Sequence, residues 1–314
     1  MTTSLKAGDA PLTAEETGAE ETGYEQVFFS ASDGLRLAVR DYGRNHSITG
    51  TLKPVVCLPG LTRNAADFHQ LALHLSQDEE QPRRVVCFDY RGRGLSDWDS
   101  QKENYNILTE ADDVLSGCAA LGISRAAFIG TSRGALIIHV LGAMRPGVLS
   151  CVLLNDAGPV IEGAGLAQIM AYHDRMKSPR DFAEAAQTLK TLQGGAFSAL
   201  ENDDWEDLAR AMYAWKGKKL VGNFDPVLID MLRAVDLNVP LPTMWPQFDG
   251  LKNIPMLAIR GANSALFSEA TLDEMARRHK NMQHYTAEGQ GHAPILHIGA
   301  LPQIITDFLK QTET

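Results

Sequence analysis

Hydrophobic residues fall into two alternating rhythms along the first half of the chain. Short, almost wholly apolar runs occupy residues 54–58, 84–88, 126–129 and 148–154. Between them, residues 68–75 and 107–121 repeat apolar positions every three or four residues. The first pattern predicts strands buried on both faces, and the second predicts helices. Two further strands are predicted at 24–29 and 35–42. Ser32-Asp33-Gly34 lies between them and signals a hairpin.

From about residue 159 to 250 this alternation stops. Residues 161–176, 180–192, 196–215 and 226–235 all have helical character, and no clear strand separates them. Met170, Tyr172, Met176, Trp205, Met212, Tyr213 and Trp215 enrich the block in large side chains. The sheet pattern resumes with strands at 255–259 and 282–286 and helices at 272–279 and 301–309. The expectation is an α/β fold with a mostly parallel central sheet covered on both faces. Its core comprises 24–158 and 251–314, and 159–250 form a helical cap over the strand ends. Residues 1–23, with Glu15, Glu16, Glu20 and Glu21, read as a flexible acidic lead-in.

Composition narrows the setting. The net charge is −10 and no Lys/Arg-rich block is visible, which argues against a nucleic-acid partner. No run of about 18 apolar residues exists, so no membrane span is expected. Cys57, Cys87, Cys118 and Cys151 show no CxxC spacing and suit buried, reduced thiols in a cytoplasmic protein. The oligomeric state stays open, a homo-oligomer included.

Candidate chemistry concentrates at the carboxyl ends of the predicted strands, where open α/β sheets place ligands. Residues 126–129 run into Gly130-Thr131-Ser132-Arg133-Gly134, and a helix-like run follows. Strand, tight turn and helix in that order make a nucleophile elbow. The two glycines leave room for the crossing backbone, and Ser132 is exposed on a strained turn. A serine hydroxyl needs a base. His292 is the candidate, because it follows the last strand on Gly289-Gln290-Gly291-His292-Ala293-Pro294. His69, His74 and His139 fall on helix patterns, His284 lies in a strand, and His46 and His279 look exposed. His297 is near enough to His292 to be its understudy. The backbone N–H of Arg133 would be one oxyanion donor. The second would come from Pro59-Gly60-Leu61-Thr62-Arg63, with Leu61 as the candidate.

These motifs resemble the α/β-hydrolase superfamily over roughly residues 24–312. Leu58-Pro59-Gly60-Leu61-Thr62-Arg63, Asp89-Tyr90-Arg91-Gly92-Arg93-Gly94-Leu95-Ser96-Asp97 and the Ser132 elbow carry the likeness. Asn155-Asp156-Ala157-Gly158-Pro159, Arg260-Gly261-Ala262-Asn263-Ser264 and the His292 loop complete it. The chain is similar to the helical-capped esterase, lactonase and carbon–carbon bond hydrolase branch. That resemblance implies acyl transfer through serine, a small and largely apolar acyl substrate, and no cofactor or metal. Serine at the nucleophile position argues against the aspartate-based dehalogenases and epoxide hydrolases.

The chain departs from its relatives at the third member of the triad. They usually carry the acid just after the strand equivalent to 256–260, but here the loop reads Gly261-Ala262-Asn263-Ser264-Ala265-Leu266-Phe267-Ser268 and holds no carboxylate. Asp156, which ends the strand after the elbow, is the natural replacement. Its other reading is a turn cap. Glu269 is the second choice, and a Ser132–His292 dyad the third. The missing carboxylate also motivates a rival reading, a non-hydrolytic ligand receptor or scaffold on the same fold. A transferase or cofactor-free oxygenase using the same pocket is a weaker third. The side chain of Arg133 could meet an anionic substrate or lie in a surface salt bridge.

Overall fold

The structure, a computed structural model, describes residues 23–44, 52–176 and 178–313. The acidic lead-in and His46 therefore lie outside the described residues. Strands β1 (Tyr24–Ser30), β2 (Arg36–Tyr42), β3 (Val55–Leu58), β4 (Val85–Asp89), β5 (Ala126–Thr131) and β6 (Leu149–Asn155) form most of the sheet. Helices α1 (His69–Ser76), α2 (Ile107–Ala120) and α3 (Arg133–Met144) connect the parallel ones. After residues 159–250 come β9 (Met256–Gly261), α9 (Glu269–Arg278), β10 (Met282–Ala287) and α10 (Leu301–Gln311).

The eight strands lie in the order β1-β2-β4-β3-β5-β6-β9-β10. β1 and β2 run antiparallel to their neighbours, and the pairs from β4 through β10 are parallel. The period-two pleat sends alternate residues to opposite faces. Val56, Phe128 and Leu154 enter the core on one face with Ile137 and Leu141 of α3. Cys57, Ile129 and Leu153 enter the other with Leu71 of α1 and Phe308 of α10. All four cysteines are buried and free. Each fully buried large apolar side chain contributes about 1.5–3 kcal/mol, and both faces are filled. That fixes the strand order and hence which strand ends are neighbours.

Residues 159–250 hold α4 (Gly163–Arg175), α5 (Phe182–Gln193), α6 (Asn202–Met212), β7 (Tyr213–Lys216), β8 (Lys219–Gly222), α7 (Val227–Arg233) and α8 (Trp245–Gly250). β7 and β8 form an antiparallel hairpin in a block expected to hold no strand, with β7 overlapping the end of the helical stretch predicted over 196–215. Gly217, at φ +59°, makes the reversal that a helix could not. Leu189, Phe197, Trp205 and Met212 give this block its own core. It docks on the β4 loop through Asn223–Asp225. The N–H of Gly94 donates to the Asn223 carbonyl at 3.0 Å, and that of Asp225 to the Gly92 carbonyl at 2.7 Å. The Tyr105 hydroxyl donates to Asp225 Oδ2 at 2.7 Å. Asp89, beneath the same turn, accepts from the N–H groups of Ala65 and Leu95. That leaves it tying loops together beside the site.

Candidate active site

Ser132 sits between β5 and α3 at φ +53° and ψ −110°. A non-glycine residue there is strained by about 1–3 kcal/mol and persists only where its surroundings over-determine it. They do so here. A Cβ on Gly134 would come within 2.1 Å of the Leu58 carbonyl oxygen, and one on Gly130 within 2.5 Å of the Gly134 carbonyl. Both positions must be glycine for β5, β3 and α3 to approach this closely. The Ser132 N–H is held by the Asn155 carbonyl at 2.9 Å.

The loop after β10 brings the imidazole over the serine. His292 Nε2 lies 2.9 Å from Ser132 Oγ, and His292 Nδ1 lies 2.6 Å from Asp156 Oδ2. With a carboxylate facing Nδ1, that nitrogen carries the proton and donates it, which leaves Nε2 to accept from the serine hydroxyl. The Asn155 side-chain amide donates to Thr131 Oγ1 at 3.1 Å and to the Pro294 carbonyl at 2.9 Å. It thereby binds the ends of β5 and β6 to the histidine loop.

Asp156 also has left-handed backbone geometry, at φ +55°. It is fully buried. Its Oδ1 accepts from the Gly261 N–H at 2.7 Å, and its Oδ2 also accepts from Ser264 Oγ at 2.6 Å. The loop in which relatives carry their acid therefore supplies hydrogen-bond donors to an acid placed on the next strand. Glu269 is exposed in the first turn of α9 and takes no part in this arrangement.

Leu61 and Arg133 flank the serine from the ends of β3 and β5. Gly60 packs against Ser132, with 3.9 Å between a Cβ at 60 and the serine Cβ. The Arg133 side chain turns away from the site. Its Nε donates to Glu110 Oε2 at 2.6 Å and its Nη2 to the Tyr105 carbonyl at 3.1 Å. A salt bridge is present, but to a buried carboxylate and not at the surface as expected. The other histidines are elsewhere. His279, expected at the surface, is buried against the Leu251 carbonyl. His139 is buried in α3, and its Nδ1 donates to the Ala135 carbonyl. Burial pushes the His139 imidazole down to about 4.

Ser132 and His292 open into a cavity of about 710 Å³ walled by α4, α5 and α6. Ile169, Leu189, Leu208 and Met212 supply apolar wall. Sequence reasoning missed the polar side chains that share it. Arg63 faces the cavity and is held in a two-pronged pair by Asp67, at 2.6 and 2.7 Å. His173 lines it too. Burial first, and then the positive charges of Arg63 and Arg233, push that imidazole down to about 4, so it is neutral near pH 7. Among the described residues no group of His, Cys, Asp and Glu has the arrangement of a metal site. None of their helices is long and apolar enough to cross a membrane.

Comparison with known proteins agrees with this architecture. The profile of the alpha/beta hydrolase fold family matches residues 53–297. A 3-hydroxybutyrate-oligomer hydrolase of Cupriavidus necator is 29% identical over 268 residues, spanning 80% of this chain and 88% of that protein. The crystal structure of an alpha/beta hydrolase from Novosphingobium aromaticivorans superposes with a TM-score of 0.80 at 32% identity. It covers 94% of this chain and all of that one. E-2-(acetamidomethylene)succinate hydrolase superposes at 0.74 and 22% identity over 91% of this chain and 99% of its own, a likeness of fold. The match over most of the chain, together with the sheet order, makes this protein a hydrolase belonging to the α/β-hydrolase fold family.

Proposed function

We propose that the protein is a serine hydrolase that cleaves a small carboxylic ester through an acyl-enzyme, with Ser132 as nucleophile, His292 as base and Asp156 as acid. The observation that carries this reading is the continuous chain Ser132 Oγ, His292, Asp156, with links of 2.9 and 2.6 Å, at the mouth of the 710 Å³ cavity. Ser132 Oγ attacks the ester carbonyl while its proton passes to His292 Nε2. Asp156 fixes the Nδ1–H tautomer and stabilises the imidazolium. The N–H groups of Leu61 and Arg133 receive the developing oxyanion. Collapse expels the alkoxide, which takes the proton from His292. Water, activated by the same imidazole, then releases the acid and restores the serine.

Ester cleavage is favoured over lactone or carbon–carbon cleavage by the likeness to a 3-hydroxybutyrate-oligomer hydrolase. Linear dimers and trimers of short 3-hydroxy acids are therefore the first substrates to try. A carboxylate beside His292 takes away the motive for the receptor reading, which rested on the loop after Arg260. The decisive test pairs turnover of p-nitrophenyl butyrate with fluorophosphonate labelling. The reading requires a mass adduct on Ser132 and a rate for Ser132→Ala at least a thousandfold lower, within the range for loss of a triad member. A Ser132→Ala protein with the parental rate would end it.

A further inference from the structure

Behind the two proposed oxyanion donors lies one buried carboxylate. Glu110, on α2, is wholly inaccessible to solvent. Its Oε2 accepts from Arg133 Nε at 2.6 Å and its Oε1 from Arg93 Nη1 at 2.9 Å. Arg93 is equally buried, and its Nε donates to the Leu61 carbonyl oxygen at 2.8 Å. One carboxylate therefore reaches the residue that follows the serine directly. Through a single guanidinium it reaches the Leu61 carbonyl, across the Cα from that residue's own N–H. The chain closes further. Arg93 Nη1 also donates to the Arg91 carbonyl, and Arg133 Nη2 to the Tyr105 carbonyl.

From this connectivity we propose that Glu110 is a positioning residue for the oxyanion hole, setting the separation and aim of the Leu61 and Arg133 N–H groups through Arg93 and the Arg133 side chain. The inference rests on the acyl-transfer reading of Ser132 and adds to it the part that holds the two donors in register. An oxyanion hole works by donors already in place before charge develops, and it needs them within a few tenths of an ångström. Loop 59–63 follows a strand of only four residues. α3 approaches the end of that strand at Gly134, beside the Leu58 carbonyl. A brace common to both is what keeps their spacing independent of loop motion.

The chemistry of the brace suits that task. Burial alone would raise the Glu110 carboxyl, but the charges of Arg133 and Arg93 outweigh it and hold the group below its ordinary value, ionised. Two guanidiniums each donate one N–H to a different oxygen of the same carboxylate, and such charge-assisted bonds are directional, which a lone hydrophobic contact would not be. The cluster also carries one more positive charge than negative. A brace acting only by charge would make Glu110→Gln faster on an oxyanion, and a brace acting by position makes it slower. The two accounts differ in sign.

The test uses the full-length protein and steady-state kinetics with p-nitrophenyl butyrate. Glu110→Gln should lower kcat about a hundredfold, the loss typical of one oxyanion donor, with KM within about twofold and the pH at which activity rises unchanged. Asp113→Asn is the control. Asp113 is a second buried carboxylate on α2, one turn from Glu110, and it accepts from Arg91 Nε and Nη2 rather than from Arg93 or Arg133. It should lower the melting temperature and leave kcat within about threefold. If Glu110→Gln does not fold, Arg133→Gln carries the test. It keeps the peptide N–H and removes the tether, so kcat should fall at least tenfold, with partial recovery in Arg133→Lys. Equal kcat losses in the Glu110 and Asp113 variants, a faster Glu110→Gln, or an Arg133→Gln with parental kcat would each overturn the proposal. A parental protein that neither turns over esters nor labels at Ser132 would instead remove the acyl-transfer reading beneath it, and the brace would then have nothing to position.

Discussion

Replacing Asp156 with asparagine isolates the acid from everything else in the site. The side chain keeps its shape, so the contact to the Gly261 N–H at 2.7 Å survives on Oδ1. Where Oδ2 accepted from His292 Nδ1 and Ser264 Oγ, both at 2.6 Å, an amide nitrogen now stands. An amide can only donate there. The Ser264 hydroxyl turns round and accepts. His292 cannot do the same without changing tautomer. Its Nδ1 gives up the proton to become the acceptor, and Nε2 gains one. The nitrogen facing Ser132 Oγ at 2.9 Å then has no lone pair to receive the serine proton. The same inversion in a serine protease triad lowers kcat by about 10⁴, or about 5.4 kcal/mol at 1.36 kcal/mol per decade. Full burial of Asp156 prevents water from substituting for the lost acceptor, so a comparable fall of 10³–10⁴ is expected. The assay is single-turnover acylation by p-nitrophenyl butyrate across pH 5–9, with circular dichroism to verify the fold. An Asp156→Asn protein within tenfold of the parent at every pH would refute the assignment. A large loss in Glu269→Gln alongside it would move the acid to α9.

Other expectations are as direct. Ser264→Ala removes one of the hydrogen bonds to Asp156 and leaves the pair with His292, so kcat should fall about tenfold with little change in KM, about 1.4 kcal/mol of transition-state stabilisation; an unchanged kcat would mean Ser264 only fills space. Gly134→Ala drives a methyl to 2.1 Å from the Leu58 oxygen, so the variant should be inactive and lose at least 3 kcal/mol in urea melts. His139 is neutral in the folded state and titrates there near 4, against about 6.5 unfolded. Below pH 6.5 the unfolded chain binds the extra proton, so stability falls as pH drops from 6.5 to 4, by up to about 3 kcal/mol. Denaturant melts of His139→Leu should be flatter than the parent over that window, and parallel curves would contradict the assignment. Asp225→Ala cuts the buried link to the Tyr105 hydroxyl. It should raise KM for bulky esters more than for p-nitrophenyl acetate, as measured by paired steady-state assays.

The Ser132 turn was readable because its requirements are local: apolar strand, two glycines at fixed offsets, apolar helix. Asp156 and His292 could be named because each follows a strand, buried β6 and edge strand β10, and parallel strands deliver their carboxyl ends to one edge. The side chains that surround them answer to contacts distant in sequence. Nothing near Arg133 reveals that its partner is Glu110, 23 positions away on another helix. Nor does the stretch around His279 reveal that Leu251 will cover it. The β7–β8 hairpin was missed because the large side chains run on without a break from the helical spacing of Trp205 and Met212 into Tyr213 and Trp215, too short a period-two stretch to stand out. A single Lys-Gly-Lys turn breaks it. The mixed cavity wall was missed for a related reason. Nothing in the local sequence marks Arg63 and Asp67 as cavity-facing, because α4 to α6 bring the rest of the wall from more than 90 residues away.

The order in which the strand ends acquire their side chains has a consequence for the folding chain. β5 and β6 are sequential neighbours and adjacent in the sheet, so Ser132 and Asp156 come together through contacts short in sequence. His292 is 136 residues beyond Asp156 and is held beside it by a loop that follows β9 and β10, with the Asn155 amide donating to the Pro294 carbonyl. A partly folded molecule with β1 to β6 in place thus holds a hydroxyl and a carboxylate with no imidazole between them, and it is chemically silent. On the acyl-transfer reading, recovery of turnover after dilution from denaturant would report the addition of β9, β10 and the His292 loop, not the assembly of β1 to β6.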